Sequence, residues 1–99
     1  MNTLVAVRTD NISYAAKVCS ALHPNAAVCS EYDWKFPNEE YDYTEARKYR
    51  RLDVTAYIKN GTDFIFVIIS EPESDEIYSE LASEYNYRYF LINVYERDM

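Results

Sequence analysis

Phe64-Ile65-Phe66-Val67-Ile68-Ile69 is an unbroken run of six β-branched or aromatic residues, and it decides the fold class. A strand with one wet face alternates apolar and polar residues, whereas a strand that is apolar at every position is covered on both sides, as in a parallel sheet flanked by helices. Immediately upstream, Asn60-Gly61 supplies a left-handed stop for a helix running from Glu45 to about Lys59. Its recurring face is read as Ala46, Tyr49, Leu52 or Asp53, Ala56 and Tyr57, with Arg47, Lys48, Arg50 and Arg51 elsewhere. Downstream, Ser74 is placed to cap a helix with Ile77, Tyr78, Leu81, Ala82 and Tyr85 on one face. Asn86-Tyr87 marks a turn, and Tyr89 to Tyr95 reads as a last strand.

The N-terminal segment continues the alternation. Leu4, Val5, Ala6 and Val7 make Thr3 to Arg8 a short buried strand. Asp10 or Asn11 then caps a helix carrying Ile12, Ala15, Ala16, Cys19 and Leu22, which Pro24 stops. Ala26 to Ser30 is a second brief apolar run, and Glu31 to Thr44, polar, aromatic and containing Pro37, reads as an exposed loop. Strands alternating with helices imply right-handed crossovers. The expected fold is therefore α/β: a mainly parallel sheet of about four strands with three helices, in three layers and one domain, 1–99. In such sheets ligands bind at the carboxyl ends of the strands, here the turns near Thr9, Ser30 to Phe36 and Ser70 to Ser74.

Composition narrows the function. The 99 residues are 48% hydrophobic and include eleven tyrosines, enough apolar area for one packed core. A formal charge of -7 repels phosphate backbones and anionic lipid heads, so direct binding to nucleic acid or membrane is not expected, while a basic groove on another protein would be attracted. No run approaches the roughly 20 apolar residues of a membrane span, and no basic stretch followed by an apolar core opens the chain. Cys19 and Cys29 have neither metal-ligand nor redox-pair spacing and read as reduced core residues of a cytoplasmic protein. His23, the only histidine, sits where a cation complements a helix C-terminus, with no orienting carboxylate beside it.

The order Ser30-Glu31-Tyr32-Asp33-Trp34-Lys35-Phe36, then Tyr41-Asp42-Tyr43, a long helix ending at Asn60-Gly61, the strand Phe64 to Ile69 and a helix ending at Tyr85-Asn86-Tyr87 resembles the small P-loop kinases related to polynucleotide kinase. In that family a Ser-x-Asp-Asp-aromatic segment, a Tyr-x-Phe pair, a helix, an Asn-Gly turn and a strand tipped with Asp-x-Thr-Asn follow one another. Ser30, Asp33, Trp34, Tyr41, Tyr43, Asn60 and Gly61 fall at matching places. The resemblance implies a P-loop-kinase-like fold.

The departures from that pattern bear on activity. Phosphoryl transfer needs backbone N–H groups cradling phosphates, a reaching Lys, and a hydroxyl and carboxylate on Mg²⁺. Where a Gly-x-x-x-x-Gly-Lys-Ser loop belongs, the chain has Arg8-Thr9-Asp10-Asn11-Ile12-Ser13-Tyr14, without glycine or lysine. Asp10 sets a negative charge where an anion would meet the helix N-terminus. The strand tip Ile68-Ile69-Ser70-Glu71-Pro72 lacks the metal-associated Asp unless Glu71 replaces it. The expectation is a kinase-like scaffold with no catalytic residues, no metal and no cofactor.

From Glu31 to Glu45, carboxylates alternate with rings, the combination that protein interfaces use for steering and for buried contact. The expected interaction residues are Glu31, Asp33, Trp34, Glu39, Glu40, Tyr41, Asp42, Tyr43 and Glu45. The competing reading packs the tyrosines back onto the sheet and leaves the acids as solvated charge. Glu71, Glu73, Asp75, Glu76, Glu80 and Glu84 form a second acidic face. The leading expectation is a non-catalytic inhibitor that docks on a basic nucleic-acid-handling protein complex. Such a domain suits a virus-encoded counter-defence protein, anti-CRISPR or anti-restriction in kind, acting in the host cytoplasm. Two alternatives stand beside it: a regulatory subunit that homodimerises through an exposed apolar sheet edge, and a minimal nucleotide or polynucleotide kinase with an atypical phosphate site around Arg8, Thr9 and Glu71.

Overall fold

Every position of Phe64–Ile68 from Ile65 onward is buried, and this segment lies inside a four-stranded sheet. The computed structural model describes residues 2–33 and 43–96. In chain order the elements are β1 (Thr3–Thr9), α1 (Ile12–Leu22), β2 (Ala27–Ser30), a 3-10 turn (Glu31–Asp33), α2 (Tyr43–Lys59), β3 (Phe64–Ile68), α3 (Ser74–Glu84) and β4 (Arg88–Val94). The strand order is β2-β3-β1-β4, and every pairing is parallel.

Alternation along the two inner strands sorts the core into two layers. Leu4, Ala6, Ile65, Val67 and Ile69 face Val54 and Ile58 of α2 and Tyr78, Leu81 and Ala82 of α3. Val5, Val7, Phe66 and Ile68 face Ala15 and Cys19 of α1. From β1 to β2 the chain crosses the sheet in one direction and from β2 onward it returns, so crossovers of one hand place α1 on the face opposite α2 and α3. Both cysteines are free and buried, and burial pushes the Cys19 thiol above its ordinary pKa.

Three local expectations are corrected. The buried stripe of α2 is Ala46, Val54 and Ile58, with Tyr57 packed against it, while Tyr49 is 38% and Leu52 is 55% exposed. The stripe spaced by four residues passes through Arg50, whose guanidinium reaches Asp53 at 2.9 Å, so polarity at position 50 masks the true face. Leu22, at the end of α1, is also exposed. Glu31 and Tyr32, expected in an exposed loop, are buried and half-buried respectively.

Both returning helices end alike. In α2, Gly61 N–H donates to Ile58 and Thr62 N–H to the Tyr57 carbonyl, with Gly61 at φ 83°. In α3, Asn86 N–H donates to Ser83 and Tyr87 N–H to Ala82, with Asn86 at φ 62°. These paired bonds satisfy the last carbonyls and turn the chain into β3 and β4. A Cβ at Gly61 would meet nothing within 4 Å, so only the backbone opposes a side chain there. Gly61→Ala is expected to lower unfolding free energy by ~1 kcal/mol, with Asn86→Gly neutral or slightly stabilising, both read from urea midpoints.

Candidate functional site

Adjacent strands β1 and β3 send their chains in opposite directions, β1 toward β2 and β3 toward β4, which opens a crevice at their carboxyl ends. A cavity of about 140 Å³ lies there, lined by Arg8 and Thr9 at the end of β1, Tyr32 after β2, Ser70 and Glu71 after β3, and Tyr95 after β4. Ligand pockets for organic molecules commonly measure roughly 300–1,000 Å³, so this one has room for a few waters or a small ion. Its acid is already engaged, because Glu71 meets Arg47 of α2 at 2.6 Å.

The turn from β1 to α1 closes on itself. Thr9 Oγ1 accepts from Asn11 N–H and donates to the Asn11 carbonyl, each at 3.0 Å. Asn11 Oδ1 accepts from Tyr14 N–H at 3.1 Å, capping α1, and Asp10 Oδ1 accepts from Glu96 N–H at 3.2 Å. A side chain of the protein thus takes a first-turn amide that an anion at a helix N-terminus would otherwise engage. Of the two expected caps, Asn11 is the one used.

Beside the cavity, Glu31 is 0% exposed, which removes it from the expected docking surface. Its Oε1 accepts from Ser70 N–H at 2.7 Å and from the Ser70 and Ser74 hydroxyls at 2.9 Å. Its Oε2 accepts from Tyr78 OH at 2.8 Å. A buried carboxyl group is tolerable only when its oxygens are satisfied, and four donors from the β3 tip and α3 do so. Ser74 is therefore not the cap of α3 as expected; Glu73 holds that position without a side-chain cap bond, and the Ser74 hydroxyl turns inward. Ser70, Ser74 and Tyr78, three hydroxyls spaced by four, were the available signal for this cluster.

Of the other expected interaction residues, Trp34, Glu39, Glu40, Tyr41 and Asp42 lie outside the described residues. Asp33 closes the 3-10 turn, Tyr43 opens α2, and Glu45 falls in the first turn of that helix, where its charge complements the dipole. The second acidic face is partly neutralised by α2: Arg47 pairs with Glu71, and Arg51 with Glu84 at 3.8 Å. Asp75 accepts from Tyr89 OH. Glu73, Glu76 and Glu80 remain exposed along α3. His23 terminates α1 and stacks on Phe64 at 4.1 Å between ring centroids, a packing role. Among the described residues no group of three or more His, Cys, Asp or Glu is arranged to hold a metal ion. No described helix is long and apolar enough to cross a membrane.

Against known proteins, the chain matches no family model, no curated protein and no solved structure.

Two predictions follow from the buried cluster. In Glu31→Gln, the carbonyl oxygen keeps Ser70 N–H while the amide faces Tyr78 OH, which can turn to accept; a loss of about 1 kcal/mol is expected. Glu31→Ala strands all four donors and should cost ~3 kcal/mol or more in chemical denaturation. The second concerns alkaline pH. Burial, and then Glu31, raises the Tyr78 phenol above its ordinary 10.0, and burial, then the bond to Asp75, does the same to Tyr89. Native phenols that stay protonated while unfolded ones ionise make stability full below pH ~10 and falling above it. Melting temperature should drop steeply between roughly pH 10 and 11.5, and Tyr78→Phe should flatten that drop while lowering the plateau at neutral pH.

Proposed function

We propose that the chain is a non-catalytic acidic binding protein that docks on, and blocks, a basic surface of a nucleic-acid-handling protein complex. The observation that carries this reading is the closed turn between β1 and α1: Asn11 caps the helix, and Thr9 and Asp10 bond within the protein. A kinase-like scaffold needs that turn open and glycine-supported to hold phosphates. The formal charge of -7 supports the partner class. Because arginines of α2 draw down part of the acidic face, the free negative charge of the described residues includes the α3 stripe of Glu73, Glu76 and Glu80. The segment holding Glu39, Glu40 and Asp42 adds three more acids beside Trp34 and Tyr41. Long-range attraction of this kind accelerates encounter and is screened by salt. A compact anionic domain acting this way fits an inhibitor of the counter-defence type.

A second reading keeps the kinase alternative, because the cavity joins Arg8 and Thr9 to Glu71 at the strand ends where α/β proteins bind ligands. Calorimetric titration with ATP and Mg²⁺ separates the two: binding at micromolar concentration overturns the non-catalytic reading. For the docking role, tagged protein should capture a basic partner at low salt and release it at high salt. With that partner, Glu39→Lys, Glu40→Lys and Asp42→Lys together, and separately Glu73→Lys, Glu76→Lys and Glu80→Lys, should slow association by on the order of tenfold or more and flatten its salt dependence. If neither triple variant alters the association rate, electrostatic docking is wrong.

A further inference from the structure

The two edges of the sheet are unequal. β2 has four residues, a short edge that offers little for another chain to pair with. β4 has seven, Arg88-Tyr89-Phe90-Leu91-Ile92-Asn93-Val94, and from Tyr89 to Val94 it contains no proline and no charge. Natural edges of that length are usually blunted by such residues or by a covering segment. Phe90 is 49% exposed on this strand.

Two bonds fix which way the β4 backbone points. Arg88 N–H donates to the Asn2 carbonyl at 2.8 Å, and Glu96 N–H turns back to Asp10. The even-numbered residues therefore direct their N–H and C=O groups toward β1. Tyr89, Leu91, Asn93 and Tyr95 direct theirs outward, into the open edge. Side chains divide by the same parity. Phe90, Ile92 and Val94 align with Val5, Val7 and Thr9 on the α1 side of the sheet, and the Glu96 carboxylate accepts from Asn11 Nδ2 at the start of α1, on that side as well.

We infer that two copies of the chain pair through β4 about a twofold axis at Ile92, joining their sheets into one of eight strands. A twofold edge contact is antiparallel, and an axis at Ile92 opposes residues whose numbers sum symmetrically about it. Arg88 then faces Glu96 of the other copy at both ends, Phe90 faces Val94, and Ile92 faces Ile92, all on one side of the sheet. The outward groups of Leu91 meet those of Asn93, and those of Tyr89 meet Tyr95, so the open edge is filled without touching the β1 ladder. Moving the axis to Leu91 or Asn93 would set Arg88 against Val94 or Glu96 against Phe90. Charge complementarity selects the register, since Arg88 is exposed and forms no ion pair within the described residues. Closure leaves only the short β2 edges outside, which stops further growth.

Light scattering coupled to size exclusion, at about 10–100 μM protein, should give twice the mass of one chain. Asn93→Pro removes an outward N–H but no bond to β1, so it should raise the dimer dissociation constant on the order of tenfold or more, while Asn93→Ala should not. Arg88→Glu turns two attractive cross-strand pairs repulsive and should weaken the dimer by a similar factor; Arg88→Glu with Glu96→Arg should restore it. A monomer throughout that range overturns the inference. So does a dimer indifferent to both Asn93→Pro and Arg88→Glu, which would place its interface elsewhere.

Discussion

The carboxyl group of Glu31, with no exposure to solvent and four donors around it, is the contact that holds the carboxyl ends of β2 and β3 against α3. It ties the end of β2 to the tip of β3 through Ser70, and to the first two turns of α3 through Ser74 and Tyr78. Parallel strands cannot be joined by tight hairpins, so each carboxyl end must be tied to its neighbours by other means. Here one side chain supplies much of that tie between three elements. Tyr32 adds a bond from its hydroxyl to the Ser70 carbonyl at 3.3 Å, closing the same corner.

That corner is also where the fold would place a ligand, and the protein has filled it with its own groups. Reversal of chain direction between β1 and β3 creates a crevice as a matter of topology. On one side of it Asn11 caps α1 while Thr9 bonds to Asn11 and Asp10 to the Glu96 N–H, and on the other Arg47 engages Glu71. A small cavity remains at that crevice among Arg8, Tyr32 and Ser70.

Charge is segregated as well as excessive. Three arginines of α2 meet acids: Arg47 reaches Glu71 in the turn before α3, Arg51 reaches Glu84 of α3, and Arg50 reaches Asp53 of α2 itself. The formal charge of the chain is -7, and Glu73, Glu76 and Glu80 are exposed along α3. The long β4 edge, uncharged from Tyr89 to Val94, lies at one end of the sheet. The acidic stripe along α3 and the edge formed by β4 therefore belong to different elements of the molecule.

Much of the architecture was readable residue by residue. An apolar run at 64–69, a cap at Asp10 or Asn11, a stop at Asn60-Gly61 and a turn at Asn86 are local signals, because strand, helix and turn preferences act over a few residues. They determined the element order, the parallel sheet and the reduced, buried cysteines. What they could not determine was which side of α2 packs, since Arg50 interrupts the stripe, or that Glu31 leaves the acidic segment to enter the core. Both depend on partners distant in sequence: Ser70, Ser74 and Tyr78 lie 39 to 47 residues from Glu31. The same holds for the outward parity of β4, which follows from its pairing with β1. A glutamate among aspartates and tyrosines reads as surface by composition, and only the tertiary structure, by gathering four donors around it, makes burial favourable.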